Sequence, residues 1–151
     1  MTKQIPITKG KVTIVDDDDY DLLVQWKWHL SNGYAKTCVG KGKLRPMHDA
    51  IVSHDPTLCV DHINGDRLDN RKANLRVCTK RQNSYNRRIG KNNKTGFKGV
   101  FKQRNRFRAV ICWDYKLIHL GMFDTPEEAG AAYDRKALEL YGEFAKINGS
   151  R

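Results

Sequence analysis

The chain has 151 residues, 39% of them hydrophobic, enough for one ordinary domain or two small ones with modest cores. Its longest apolar runs fall far short of the roughly 20 residues needed to cross a bilayer, so no membrane role is expected. It carries 28 basic against 17 acidic residues, a formal charge of +11, which makes an anionic partner such as nucleic acid the first expectation.

In chain order, Met1 to Val12 alternates polar and apolar residues without the apolar core of a signal peptide. Lys11–Val15 alternates as a strand does. Asp16 to Asp19 then precede Tyr20-Asp21-Leu22-Leu23-Val24, an acidic start that the helix dipole favours. Trp26 and Trp28 flank Lys27 at a spacing of two, which predicts a strand with both indoles in the core. Gly33–Val39 predicts another strand, and Met47–Val52 a short helix carrying His48. The cysteines (Cys38, Cys59, Cys78, Cys112) form no C-x-x-C and no Cys/His pair at zinc spacing. They are expected to be buried or semi-buried free thiols in a reducing compartment, the cytoplasm.

From Asn70 to Trp113 there are 14 Lys or Arg and no Asp or Glu, so the remainder of the chain, with 14 basic and 17 acidic residues, carries −3. The whole positive excess lies in this stretch. Residues 89–94, Ile-Gly-Lys-Asn-Asn-Lys, have the composition of a linker, giving a first domain over 1–88 and a second over 95–151. In the second, Gly96–Gln103, Phe107–Trp113 and Lys116–Gly121 predict a three-stranded antiparallel meander. Thr125-Pro126-Glu127-Glu128 is a helix start with a capping box, Ala129 to Tyr141 recur at helical spacing, and Gly142 suits the C-cap. The fold class is therefore α+β.

Next to the basic stretch, Val60-Asp61-His62-Ile63-Asn64-Gly65-Asp66 is followed by Asn74 and Asn83. Phosphodiester hydrolysis needs an activated water, a neutralised phosphate and a stabilised leaving oxygen. His62 has the near-neutral reference pKa of a general base. Asp61 and the amide oxygen of Asn83 could be the one or two protein ligands that Mg²⁺ or Mn²⁺ takes. Asp61 and His62 would face opposite ways on a regular strand, so the strand must end there, at the Asn64-Gly65-Asp66 turn. Asn83 falls on Thr79–Arg88, a basic helix that Thr79 can cap, and Asn74 suits holding backbone groups. On these residues alone two readings stand: a metal-dependent nuclease, or ordinary Asn-rich loop chemistry.

Residues 45–88 resemble the HNH endonucleases of phages and mobile introns. The likeness runs through Met47-His48, Val60 to Asp66, Leu68-Asp69-Asn70-Arg71, Ala73-Asn74-Leu75-Arg76, Thr79 and Gln82-Asn83. It implies a ββα-metal domain in which His62 is the general base, Asp61 and Asn83 hold one divalent ion, and Asn74 orders the loop. His48 matches a His that often precedes the motif, with a role either at the phosphate or in a structural hydrogen bond. The third motif position is Asn83 rather than His, a variant of the intron-encoded branch.

Residues 95–148 resemble the APETALA2/ERF DNA-binding domain. The matching stretches are Gly96 to Val100, Phe107-Arg108-Ala109, His119 to Thr125, Glu127-Glu128-Ala129, Ala131 to Asp134, and Gly142 through Asn148. That likeness implies a sheet whose exposed face lies in the major groove, backed by the helix. Lys98, Phe101 and Gln103 fall at contact positions. By alternation Phe107, Ala109, Ile111, Ile118 and Leu120 should face the helix, with Arg108, Val110, Cys112 and His119 outward. Lys102, Arg104 and Arg106 at the first hairpin are placed for phosphates, as are Arg87, Arg88 and Lys91 around the linker. Several plant Arg and Trp contact positions are here Phe101, Gln103, Val110, Cys112 and His119, so a target sequence does not transfer. The expected protein is a homing-type, metal-dependent nuclease acting on double-stranded DNA, a monomer on an asymmetric site, in the cytoplasm of a prokaryotic or phage-infected cell. Its rivals are a DNA-binding regulator that does not cut and an RNA-binding protein.

Overall fold

The computed structural model describes residues 1–149; Ser150 and Arg151, the last two residues of the expected second domain, lie outside them. In the first unit, β1 (Thr2–Ile7) and β2 (Lys11–Asp16) form an antiparallel hairpin, and α1 (Asp17–Leu23) follows with Asp17, Asp18 and Asp19 in its first turn. The hairpin buries Ile5, Ile7 and Val15 against Leu23, Trp28, Ala35 and Met47.

The expected tryptophan strand does not form. Residues 24–28 are turn and irregular backbone, and β3 (His29–Ser31) begins only afterwards. Trp28 is core, its indole N–H donating to the Leu23 carbonyl at 2.8 Å, whereas Trp26 lies at the surface, edge-on to Trp28. The spacing of two arises here in a loop, where one buried indole with a satisfied N–H suffices to fix the chain.

β3, β4 (Tyr34–Cys38) and β5 (Leu44–Pro46) form a three-stranded antiparallel sheet, with Asn32-Gly33 at positive φ in the tight turn between β3 and β4. α2 (His48–Ile51) follows. β6 (Cys59–His62) and β7 (Leu75–Cys78) then pair in the register Cys59↔Cys78, Val60↔Val77, Asp61↔Arg76 and His62↔Leu75. α3 (Lys80–Tyr85) comes next, shorter than the expected Thr79–Arg88. Thr79 starts it reciprocally: its hydroxyl accepts from Gln82 N at 3.1 Å, and the Gln82 side chain accepts from Thr79 N at 2.9 Å.

The second unit is a sheet of β8 (Val100–Gln103), β9 (Arg106–Trp113) and β10 (Lys116–Phe123) in meander order, with α4 (Pro126–Tyr141) packed on it. Thr125 and Glu128 make the capping box. Ala129, Ala132 and Ala137 are buried between helix and sheet, and Gly130 lies against the Phe97 ring. A bulge between His119 and Gly121 shifts the register, so Met122 pairs with Arg108 and Phe123 with Phe107.

The chain divides into two compact units, Met1–Asn83 and Ser84–Arg151, so the division falls inside α3 rather than at residue 88. Tyr85 belongs to the second unit's core. Its ring stacks on Tyr141 with centroids 3.9 Å apart, and its carbonyl accepts from Lys98 Nζ at 2.6 Å. All four cysteines are free thiols, but Cys38 and Cys112 are exposed, against the expectation of burial; each sits on an open sheet face. Among the described residues no helix is long and apolar enough to cross a membrane.

Candidate active site

His62 ends β6, where the chain turns back with Gly65 N donating to the His62 carbonyl at 2.8 Å. Its imidazole is buried, and a relay of hydrogen bonds fixes it. Thr13 on β2 donates its hydroxyl to the Leu68 carbonyl at 2.7 Å. Having spent that hydrogen, Thr13 Oγ1 can only accept from Asn70 Nδ2, at 2.8 Å. Asn70 Oδ1 therefore faces His62 Nε2, at 3.2 Å. An amide oxygen accepts only, so Nε2 carries the hydrogen, and in the neutral ring Nδ1 is the basic nitrogen. Asn70 is itself pinned, its N–H donating to the Ile14 carbonyl at 2.7 Å. Burial holds the His62 pKa below its ordinary value, against the Asn70 bond and the Asp61 charge, which raise it. A base that is neutral at pH 7 results.

His62 packs edge-on to His48, ring centroids 5.1 Å apart, and Tyr34 lies 5.9 Å from the first ring and 5.4 Å from the second. His48 opens α2 and is buried; desolvation pulls its pKa down to about 4, although Asp49 opposes this. Asp49 Oδ1 lies 3.4 Å from His48 Nε2 and 3.1 Å from His54 Nε2. His54 is raised, first by its bond to the Asp55 carbonyl and then by Asp49.

Asp61 faces the other way, as adjacent strand residues must. It is buried and takes Arg76, its cross-strand partner, at 2.8 and 3.0 Å. Cys59, two residues before, shares that face, and Asn83 Nδ2 reaches Cys59 Sγ at 3.6 Å. Asp61 and Asn83 thus belong to one side of the hairpin, and with Nδ2 on the thiol, Asn83 Oδ1 is the atom left to ligate. A carboxylate and an amide oxygen suit a hard cation that keeps most of its waters. Among the described residues no trio of His, Cys, Asp or Glu gathers as a fuller metal cage would require.

Asn74, buried at the end of a 3₁₀ turn (Lys72–Asn74), accepts from Asn64 N at 3.0 Å and donates to the Asp69 carbonyl at 2.8 Å. It ties both ends of the loop that follows His62. Asp69 is held by Arg71 at 2.6 and 2.7 Å and by Asn64 at 2.9 Å, the Arg71 bonds being the first cause of its lowered pKa.

On the second unit's open sheet face, Phe101 is half exposed and the Arg108 guanidinium lies 5.9 Å from its ring, with Arg108 Nε shut from solvent and lacking a hydrogen-bond partner. Gln103, Lys102, Arg104 and His119 are exposed, as are Arg87, Arg88 and Lys91. Three positions differ from expectation. Lys98 precedes β8 instead of lying on it and spends its ammonium on the Tyr85 carbonyl; burial pulls its pKa down to about 8. Arg106 is paired with Asp124 at 2.8 Å and donates to the Met122 carbonyl at 3.0 Å. Val110, outward by alternation, is buried on the middle strand.

Thr13, Tyr34 and His54 are site residues that reading the sequence did not single out, and Asn70 and Arg76 entered only as part of the family likeness, without a role. Arg76 had a signal: it faces Asp61 once β6 and β7 are paired from their shared turn. The others arrive by tertiary packing.

Residues 55–85 match the family described as HNH endonuclease. A protein of Acanthamoeba polyphaga mimivirus, named Uncharacterized HNH endonuclease L560, is 32% identical over 146 residues, covering 93% of this chain and 76% of the relative. Protein 3.8 of Escherichia phage T7 is 33% identical over 90 residues, 58% of this chain and 74% of that protein.

Proposed function

The chain belongs to the HNH endonuclease family and is a DNA endonuclease, and we propose that it is a sequence-targeted one of the homing type. In this reading the first unit is a ββα-metal nuclease in which β6, β7 and α3 are the motif, and an APETALA2/ERF-type module follows. The observation that carries it is the relay Thr13–Asn70–His62, which fixes one tautomer of a buried histidine.

His62 Nδ1 takes the proton from a water as the water's oxygen attacks phosphorus, and the bond from phosphorus to the leaving oxygen breaks. The relay spares His62 reorientation during the step. Asp61 and Asn83 would hold Mg²⁺ or Mn²⁺, which when bound neutralises phosphate charge and stabilises the leaving oxygen. Arg76 keeps the Asp61 carboxylate aimed, and Asn74 keeps the loop beyond His62 from shifting. The module's open face, with Phe101, Gln103, Arg108 and His119 on it, supplies base contacts, and Lys102, Arg104, Arg87, Arg88 and Lys91 supply phosphate contacts. Two modules on neighbouring segments of one duplex suit a monomer on an asymmetric site.

Incubation with DNA of the protein's own genomic locus, with Mg²⁺ or with EDTA, tests this reading. Discrete metal-dependent nicks are expected. Cutting that resists EDTA overturns the metal role, and uniform degradation overturns the targeting.

A further inference from the structure

Arg67 lies in the loop between β6 and β7, outside the residues assigned to catalysis or DNA contact above. Its guanidinium carbon sits 4.6 Å from the Tyr34 ring centroid, and its Nη1 donates to the Asn32 carbonyl at 3.0 Å, across 35 residues of sequence. It lies against Gly33, whose φ of +81° makes the tight turn that presents the Asn32 carbonyl. Lys36, two residues along β4 from Tyr34 and so on the same face, holds its ammonium 5.8 Å from the same ring. Tyr34 is also the ring against both His48 and His62. One aromatic ring is therefore shared by two cations and the general base.

These cations differ from their neighbours in being unspent. Arg71 is taken by Asp69 and Arg76 by Asp61, while Arg67 and Lys36 have no carboxylate partner among the described residues. Arg67 uses one of its N–H donors on Asn32 and keeps the rest of a rigid fork suited to phosphate. The Lys36 charge is felt at His48, where it adds, after burial and the neighbouring histidines, to the lowering of the pKa.

Resting on the nuclease reading, we propose that Arg67 and Lys36, mounted on Tyr34, form a second phosphate-binding subsite. It seats a backbone phosphate of the cut strand beside the scissile one, so that the scissile phosphorus is held at His62. The ligand is a phosphodiester of duplex DNA, and recognition is through charge and the fork, independent of base sequence.

Binding is measured in EDTA on a His62→Ala background, with the duplex the protein cuts or, if none is cut, a mixed-sequence duplex. Affinity is followed across a salt series. Arg67→Ala and Lys36→Ala should each flatten the slope of log K against log salt by about one, and the double variant by about two, since each neutralised phosphate contributes roughly −0.9. Arg67→Gln retains a donor for Asn32 without the charge and should flatten the slope as Arg67→Ala does. With His62 restored, Arg67→Lys should recover most of the slope while its single-turnover cleavage at saturating protein stays below wild type by about tenfold, because an ammonium lacks the planar fork. A double variant whose slope matches the parent within about half a unit overturns the subsite. Wild type that binds with the full slope but never cuts overturns the nuclease reading instead, so the two failures are distinct.

Discussion

His62, Asp61 and His48 occupy three different electrostatic settings, and each setting has a measurable consequence. His62 acts on water and not on DNA affinity, so His62→Ala should lower cleavage by about 10²- to 10⁴-fold while duplex binding holds. Cleavage within about tenfold of wild type removes it from the base role. Asp61→Ala is a poor probe of the metal, since it also removes the carboxylate that Arg76 bonds; Asp61→Asn keeps an acceptor there and should raise the Mn²⁺ concentration at half-maximal activity, as should Asn83→Ala. An unchanged midpoint in both moves the cation elsewhere. His48 bears on stability. Its folded pKa, about 4, lies below the ordinary 6.5, so the unfolded chain binds its proton first as pH falls. The stability contribution is complete above pH 6.5 and is lost progressively down to about pH 4. Denaturant midpoints measured across that window should decline with pH, and His48→Gln should flatten the decline. A wild-type midpoint that stays level would contradict the buried neutral state. At this scale Asp61, His62, Asn74 and Asn83 were legible because they stand in one short stretch with turn residues between them. Thr13 and Tyr34 were not, and Asn70 entered only with the family likeness and no role, because a threonine, a tyrosine or an asparagine advertises nothing until folding delivers it to the imidazole.

Elements that are built locally were the most readable. The meander and the capping box of α4 need only neighbouring residues: Thr125 and Glu128 satisfy two orphan N–H groups, and Pro126 fits the first turn. The tryptophan stretch misled because alternation over three residues is too short to separate a strand from a loop that buries one ring. α3 is the instructive middle case. Its start was legible in Thr79 and Gln82, but its end depends on Tyr85 stacking on Tyr141, some 56 residues away. A fragment cut at 95 therefore lacks Tyr85 and leaves Lys98 without its carbonyl acceptor. A fragment from Ser84 should melt at least ~5 °C higher than one from Thr95, the shift expected of about 1 kcal/mol in so small a domain. Equal melting temperatures would show that the stack contributes nothing to the module.

Across the whole molecule the charge is partly spent on itself. Of the 14 central cations, Arg71, Arg76 and Arg106 answer carboxylates, Lys72 answers Asp19, and Lys98 answers a carbonyl. Those at Lys80, Arg87, Lys91, Lys94, Lys102 and Arg104 are in none of these pairings, and with Arg88 they are the seven counted for phosphate contact. About seven phosphate contacts give a slope near −6 in log K against log salt. A slope shallower than about −3 would mean that the basic stretch is solvated surface. Composition made this field legible but not which cations are neutralised, because pairing depends on strand register and on contacts such as Lys72 with Asp19, 53 residues apart in sequence.

The relay to His62 begins at Thr13, a fully buried hydroxyl on the N-terminal hairpin, well before the residues by which the family is matched. The genetics of cutting should follow that wiring as well as the motif. A screen for alleles that bind DNA but no longer cleave it should collect Thr13→Val beside the expected motif lesions. Valine keeps the shape that packs the hairpin and deletes the oxygen that tells Asn70 which way to point. Survivors that restore cutting should arise at Asn70, where a changed side chain can hold the imidazole without help from the hairpin.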